Sequence, residues 1–93
     1  MLVAVVEMAP GHIAEGGAYE DAVLALLGRH GGTLRQRLRS TDDSGTEVQL
    51  ISFAARSGLE SFLADPARQT LRDQLGDGAP RTRVIEVREL PAR

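Results

Sequence analysis

Few side chains in this sequence have both the type and the placement for chemistry. His12 stands in a Pro10-Gly11-His12 turn between an apolar run and a helical pattern. Loops at strand ends often hold functional groups, and imidazole exchanges protons near neutral pH, so His12 is a candidate acid or base. Glu7 ends the opening apolar run and is a second candidate base. Arg35, Arg37 and Arg39 alternate along TLRQRLRS, and Glu86 and Arg88 alternate along RTRVIEVREL. Carboxylates and guanidiniums gathered on one sheet face either pair with one another or hold a carboxylate ligand through Arg forks. Tyr19 lies on an apolar helical stripe, which makes it a core residue whose hydroxyl reaches a neighbouring pocket. His30 precedes Gly31-Gly32 in a last helical turn, where an imidazolium interacts well with the helix dipole, so a capping role is expected.

Composition narrows the chemistry further. The 93 residues include no Cys, Lys, Asn or Trp. Disulfides, thiolate nucleophiles, Cys metal sites and Schiff-base lysines are therefore excluded. The two His have no metal-ligand spacing, and neither a metal nor a cofactor is expected. The Gly-rich stretch GHIAEGG at 11–17 fits neither the phosphate-loop nor the dinucleotide pattern and reads as a flexible loop. Eleven basic against thirteen acidic side chains give a net charge of −2, which argues against nucleic acid. Tyr19, Phe53 and Phe62 are the only aromatics, too few for a base-stacking sheet. No stretch approaches the roughly 20 apolar residues of a membrane span. The apolar start before Glu7 is too short for a signal core, so a cytoplasmic protein is expected.

The elements that must position these groups follow from periodicity. LVAVVEM, residues 2–8, is β-branched and ends at Pro10-Gly11, a strand. After a loop over 11–18, Tyr19, Ala22, Val23, Leu26 and Leu27 recur on one helical face up to His30. Gly31-Gly32 stops that helix. Residues 33–40 alternate with period two, Leu34, Gln36 and Leu38 on one face and the three Arg on the other. Thr41-Asp42-Asp43-Ser44-Gly45 is turn chemistry, and EVQLISFA, residues 47–54, returns antiparallel. Ser57 and Glu60 form a capping box for a second helix with Leu59, Phe62 and Leu63 inward. Asp65-Pro66 restarts that helix as cap and first residue, and it runs through Leu71 and Leu75 to Gly76. The last strand is 81–90, ended by Pro91. The order β-α-β-β-α-β predicts one ferredoxin-like α+β domain over 1–93, a four-stranded antiparallel sheet with its helices on one face.

Two helices cover one face of such a sheet, and a lone domain then shows polar residues on the other. Here the first strand is apolar on both sides, with Leu2, Ala4 and Val6 on one and Val3 and Val5 on the other. The third strand puts Val48 and Leu50 opposite Ile51 and Phe53. An apolar face of this kind is an association surface, and a two-fold homodimer with facing sheets covers it. With Leu34, Leu38, Ile85 and Val87 turned to the helices, Glu7, Arg35, Arg37, Glu86 and Arg88 share the partner-facing side. They form either an inter-subunit ion-pair network or a site for a small organic or anionic ligand. On this placement Arg37→Glu weakens dimerisation.

The opening LVAVVEM, the helix ending RHGG before TLRQR, and EVQLISFAARSGLESFLADPARQTL together resemble the dimeric α/β-barrel superfamily. The resemblance spans nearly the whole chain and is nearest to small families of unknown function. It implies a ferredoxin-like fold and a dimer whose sheets close into a shared barrel with an inter-subunit ligand cavity. More distantly the chain resembles the antibiotic-biosynthesis monooxygenases, a branch that uses Asn, Trp and His around a polyaromatic substrate. Asn and Trp are absent here. The activities in view are therefore small-molecule binding, a cofactor-independent monooxygenase or isomerase-like reaction, and a non-catalytic ligand-sensing or interaction module.

Overall fold

The computed structural model describes residues 1–92. Strands β1 (Leu2–Glu7), β2 (Gly32–Arg39), β3 (Glu47–Phe53) and β4 (Arg81–Glu86) form one sheet in the order β2-β3-β1-β4. All three strand pairs are antiparallel. Helix α1 (Ile13–Leu24) links β1 to β2, while α2 (Arg56–Leu63) and α3 (Pro66–Leu75) link β3 to β4. This is the ferredoxin-like α+β plan, with the second helix split at Asp65-Pro66. Leu2, Tyr19, Val23, Leu26, Leu27, Ile51, Leu59 and Phe62 form the core between sheet and helices. Each fully buried Leu, Ile or Phe in it contributes about 1.5–3 kcal/mol. No helix among the described residues is long and apolar enough to cross a membrane.

Several local expectations are corrected. The Gly-rich stretch is helical from Ile13 onward rather than a loop. Gly16 is buried within it against the Met8 side chain, and a Cβ there would oblige Met8 Sδ to move. The first helix also does not run unbroken to His30; α1 ends at Leu24 and a 3-10 turn covers Leu27–His30. Gly31 follows with φ 67°, the left-handed stop that Gly accepts without strain. Ser57 caps nothing, because α2 begins at Arg56 with Ala55 before it. Leu63 is 41% exposed rather than inward.

The joint between α2 and α3 follows the sequence reading. The Asp65 carboxylate accepts from Ala67 N at 2.9 Å, with Pro66 as first helical residue. His30 does not act on its own helix end. Its Nε2 lies 2.8 Å from Asp65 Oδ2 and its Nδ1 2.7 Å from Ser61 Oγ, so it ties the 3-10 turn to both later helices. These bonds, His30 first, hold the Asp65 carboxyl below its ordinary range. The turn after β2 is organised by Asp42, which accepts from the Ser40 and Ser44 hydroxyls and is drawn down to about 2.

Register assigns the two faces. Leu2, Ala4 and Val6 pair directly with Ile51, Gln49 and Glu47 and share the helix-covered side with them. Across β4 the same residues meet Glu86, Val84 and Thr82. Val3, Val5 and Glu7 face away from the helices, beside Leu50, Val48, Ile85, Arg83 and Arg81. In β2 the register slips between Leu34 and Gln36. Leu34 pairs with Ile51, but Gln36 pairs with Leu50, Arg37 with Gln49, Leu38 with Val48 and Arg39 with Glu47. This bulge exchanges the sides of everything beyond it.

Candidate functional site

The bulge delivers Arg37 and Arg39 to the helix side, where β3 buries a carboxylate. Glu47 is 2% exposed, Gln49 3% and Glu20 of α1 3%. Arg37 grips Glu47 with Nε at 2.7 Å and Nη2 at 3.1 Å, and donates from Nη1 to Asp21 at 2.6 Å. Arg39 adds a longer contact to Glu47 at 3.5 Å. The Gln49 amide bridges the two buried carboxylates, donating to Glu47 at 2.7 Å and to Glu20 at 2.8 Å. The two acids are driven apart in acidity. Burial pushes Glu47 up, but the bonds from Arg37, Gln49 and Arg39 outweigh it and hold the group below its ordinary value. Glu20 moves up, first by burial and then by the nearby Glu47 charge, against the pull of Gln49, Arg37 and Arg68. Carboxylates separated in this way mark sites where one accepts protons and the other stays charged.

A cleft of about 460 Å³ runs between α3 and β4, lined by Tyr19, Arg68, Gln69, Arg72, Thr82 and Val84, with Leu63, Ala64, Asp65 and Pro66 at its end. That volume lies within the usual range for small-molecule sites. Behind it a chamber of about 20 Å³ is bordered by Tyr19, Glu20, Gln49 and Arg68 among others. Arg68 is the charged group common to both. Its guanidinium sits 4.9 Å over the Phe62 ring and its Nη1 donates to Leu63 O at 2.8 Å. Its Nε is the one buried side-chain nitrogen or oxygen without a partner among the described residues. A buried donor left unmatched costs about 1–3 kcal/mol, and an acceptor placed there recovers it.

The residues expected from sequence are dispersed. Tyr19 is buried and lines both cleft and chamber. Glu7 and Arg35 are on the helix-free side as expected, with Arg35 Nε donating to Ser52 Oγ at 2.8 Å. Glu7 borders a pocket of about 320 Å³ with Val5, Arg81 and Arg83. Arg37 and Arg39 are on the opposite side from that expected, because the bulge changes their parity. Glu86 is also on the helix side, since β4 is displaced by one residue from the assumed parity. There it meets Arg56 of α2 in a two-pronged pair at 2.6 and 3.0 Å. Arg88 lies beyond β4 and is exposed. His12 precedes α1 at the surface, 2.6 Å from Glu15, and does not line the cleft. The expected partner-side cluster of Glu7, Arg35, Arg37, Glu86 and Arg88 therefore does not assemble. Among the described residues, no three His, Asp or Glu side chains converge as metal ligands.

Sequence reasoning missed Glu20, Glu47, Gln49 and Arg68. Strand parity held a signal for Gln49, which shares its side with Ile51, and Arg68 and Arg72 are spaced to share one helix face.

No family model and no curated protein matches the chain. Solved structures do. A Pseudomonas aeruginosa protein matches at 20% identity over 97% of this chain and 92% of its own, with a TM-score of 0.72. A provisionally named antibiotic biosynthesis monooxygenase of Caulobacter crescentus matches at 19% identity over 95% of this chain and 88% of its own, TM-score 0.71. A cofactor-independent oxygenase of Streptomyces nogalater matches at 19% identity over 96% and 92%, TM-score 0.70. The chain has the ferredoxin-like fold of these antibiotic-biosynthesis-monooxygenase-like proteins.

Proposed function

We propose that the chain works as a cytoplasmic homodimer in which each subunit binds a small organic anion in the cleft between α3 and β4. The partnerless Arg68 Nε carries this reading. It is a buried, directional donor of an Arg that lines a cleft large enough for an organic molecule. Tyr19 and Val84 offer the apolar surface that such a ligand's body needs, and Arg72 adds a second cation. The second copy is drawn to the helix-free side, where Leu38 is 50% and Ile85 38% exposed beside half-buried Val3, Val5, Val48 and Leu50. Glu7 and the Arg35, Arg81 and Arg83 side chains around that patch supply both charge signs for two-fold pairing.

Titration with salicylate tests the cleft. Binding raises the melting temperature by mass action. Arg68→Lys, which keeps the charge but removes the Nε donor, weakens salicylate at least tenfold. An unmoved melting temperature for the wild type, with salicylate and 4-nitrophenolate alike, leaves the interaction-module reading in place of this one. A second reading, oxygen-dependent turnover of the bound anion, is favoured by the structural neighbour described as a cofactor-independent oxygenase. Oxygen uptake with a phenolic substrate, above that of the Arg68→Lys variant, supports it.

A further inference from the structure

Glu20 lies on the small chamber beside the cleft rather than on the cleft itself. It is buried on α1, with Oε1 accepting from Gln49 at 2.8 Å, and it borders the inner chamber with Arg68. The chamber adjoins the cleft: Tyr19, Leu63, Arg68, Thr82 and Val84 line both. Its volume of about 20 Å³ admits one water, which needs roughly 10–15 Å³ and two to four polar partners. Glu20, Gln49 and Arg68 are such partners. The charged groups facing Glu20 are Glu47 from β3, Arg37 from β2 and Arg68 from α3. Glu47 is already neutralised by the Arg37 fork, whereas Glu20 has only a neutral amide as direct partner.

We propose that Glu20 takes the proton of a weakly acidic organic ligand, through one water in the chamber, while Arg68 receives the oxyanion left behind. This rests on the cleft as an organic-anion site and assigns its ligand class: molecules with an ionisable O–H that enter neutral and are held as anions. The ligand O–H bond breaks and its electron pair stays on the ligand oxygen. The water passes one proton on and recovers one, and the Glu20 carboxylate becomes a carboxylic acid. Negative charge thus moves from beside Glu47 to beside Arg68. Repulsion between the two carboxylates on Gln49 is relieved, and the unmatched Nε gains an acceptor in the same step.

The probe is 4-nitrophenol, whose absorbance separates phenol from phenolate. Bound to the wild type, it is ionised at a pH where the free probe is neutral, and no proton reaches the buffer, measured calorimetrically in two buffers of different ionisation enthalpy. In Glu20→Gln the probe either binds as phenol or releases one proton per site on ionising. If the wild type binds the neutral phenol, or releases one proton per bound phenolate, Glu20 is not the acceptor, while the cleft stands. Ionised binding without release in Glu20→Gln also overturns the assignment. No binding to the wild type removes the cleft itself. A measurement independent of the variant's folding is the carbon-13 resonance of the Glu20 carboxyl in the wild type. It moves to the protonated position on probe binding; a fixed resonance overturns the proposal.

Discussion

Both sides of this sheet mix apolar and polar groups, in different ways. The covered side holds, besides Leu2, Val6 and Ile51, the polar trio Glu20, Glu47 and Gln49. The uncovered side is led by Val3, Val5, Leu38, Val48, Leu50 and Ile85. Burying carboxylates is costly unless they are paired and hydrogen-bonded, which explains why two Arg of β2 are spent on Glu47. Leaving a strip of Val, Leu and Ile in water is costly in another way, and association relieves it. A side that hides charge at such expense has a use for charge out of water. A side that shows apolar surface has a use for contact.

Breaking the covered side has the largest expected effect. Arg37→Leu strands Glu47 without its main partner and lowers stability by about 3 kcal/mol in urea denaturation. Arg37 is therefore a residue of the fold, and Arg37→Glu tests folding rather than dimerisation. Adding Glu47→Met to Arg37→Leu recovers most of the loss, since a matched apolar pair needs no countercharge. A cost below about 1 kcal/mol for the single change would mean the pair behaves as a surface one.

Leu38→Glu is the corresponding break on the uncovered side. Urea denaturation at low protein concentration stays unchanged, while the dimerisation constant in sedimentation weakens by about a hundredfold, or ~2.7 kcal/mol. Undiminished association would remove this side as the contact.

Acidity sharpens the contrast within the covered side. Glu47 and Asp65 have lowered folded values, so their stabilisation is present above their unfolded values of about 4.5 and 3.8 and is lost as pH falls through the folded ones. Glu20 has a raised folded value, so its contribution is full below about 4.5 and is lost as pH rises through the raised value. Stability is therefore expected to decline on both limbs. In urea midpoints taken across pH, Glu20→Gln flattens the upper limb and leaves the acid limb in place. The smallest effect belongs to His12, whose side chain is 47% exposed and paired with Glu15 alone: His12→Ala changes stability by less than about 0.5 kcal/mol.

Element order was legible because each segment had its own period and its own stop. The Asp65-Pro66 restart and the apolar strands need no distant information. The sides of β2 and β4 were not legible. TLRQRLRS alternates cleanly, yet the slip between Leu34 and Gln36 is set by pairing with β3, where Glu47 draws Arg37 and Arg39 inward. In RTRVIEVREL both parities carry Val or Ile, so the string cannot choose. The start of α1 was hidden because Gly16 and Gly17, which both lie inside the helix, read as loop formers in the sequence. Arg68 gave little signal for a related reason: a guanidinium on an amphipathic helix looks solvated until the cleft beneath it is known.

The bulge in β2 also means that this strand holds one residue more than its neighbour has places for. Arg35 is that surplus residue, between Leu34 opposite Ile51 and Gln36 opposite Leu50. Removing it would restore plain alternation and leave Arg37 and Arg39 inward and Leu38 outward, whereas straightening the strand with Arg35 kept would reverse all three. Related chains one residue shorter at this point should therefore keep both the ionic lock and the sticky exterior.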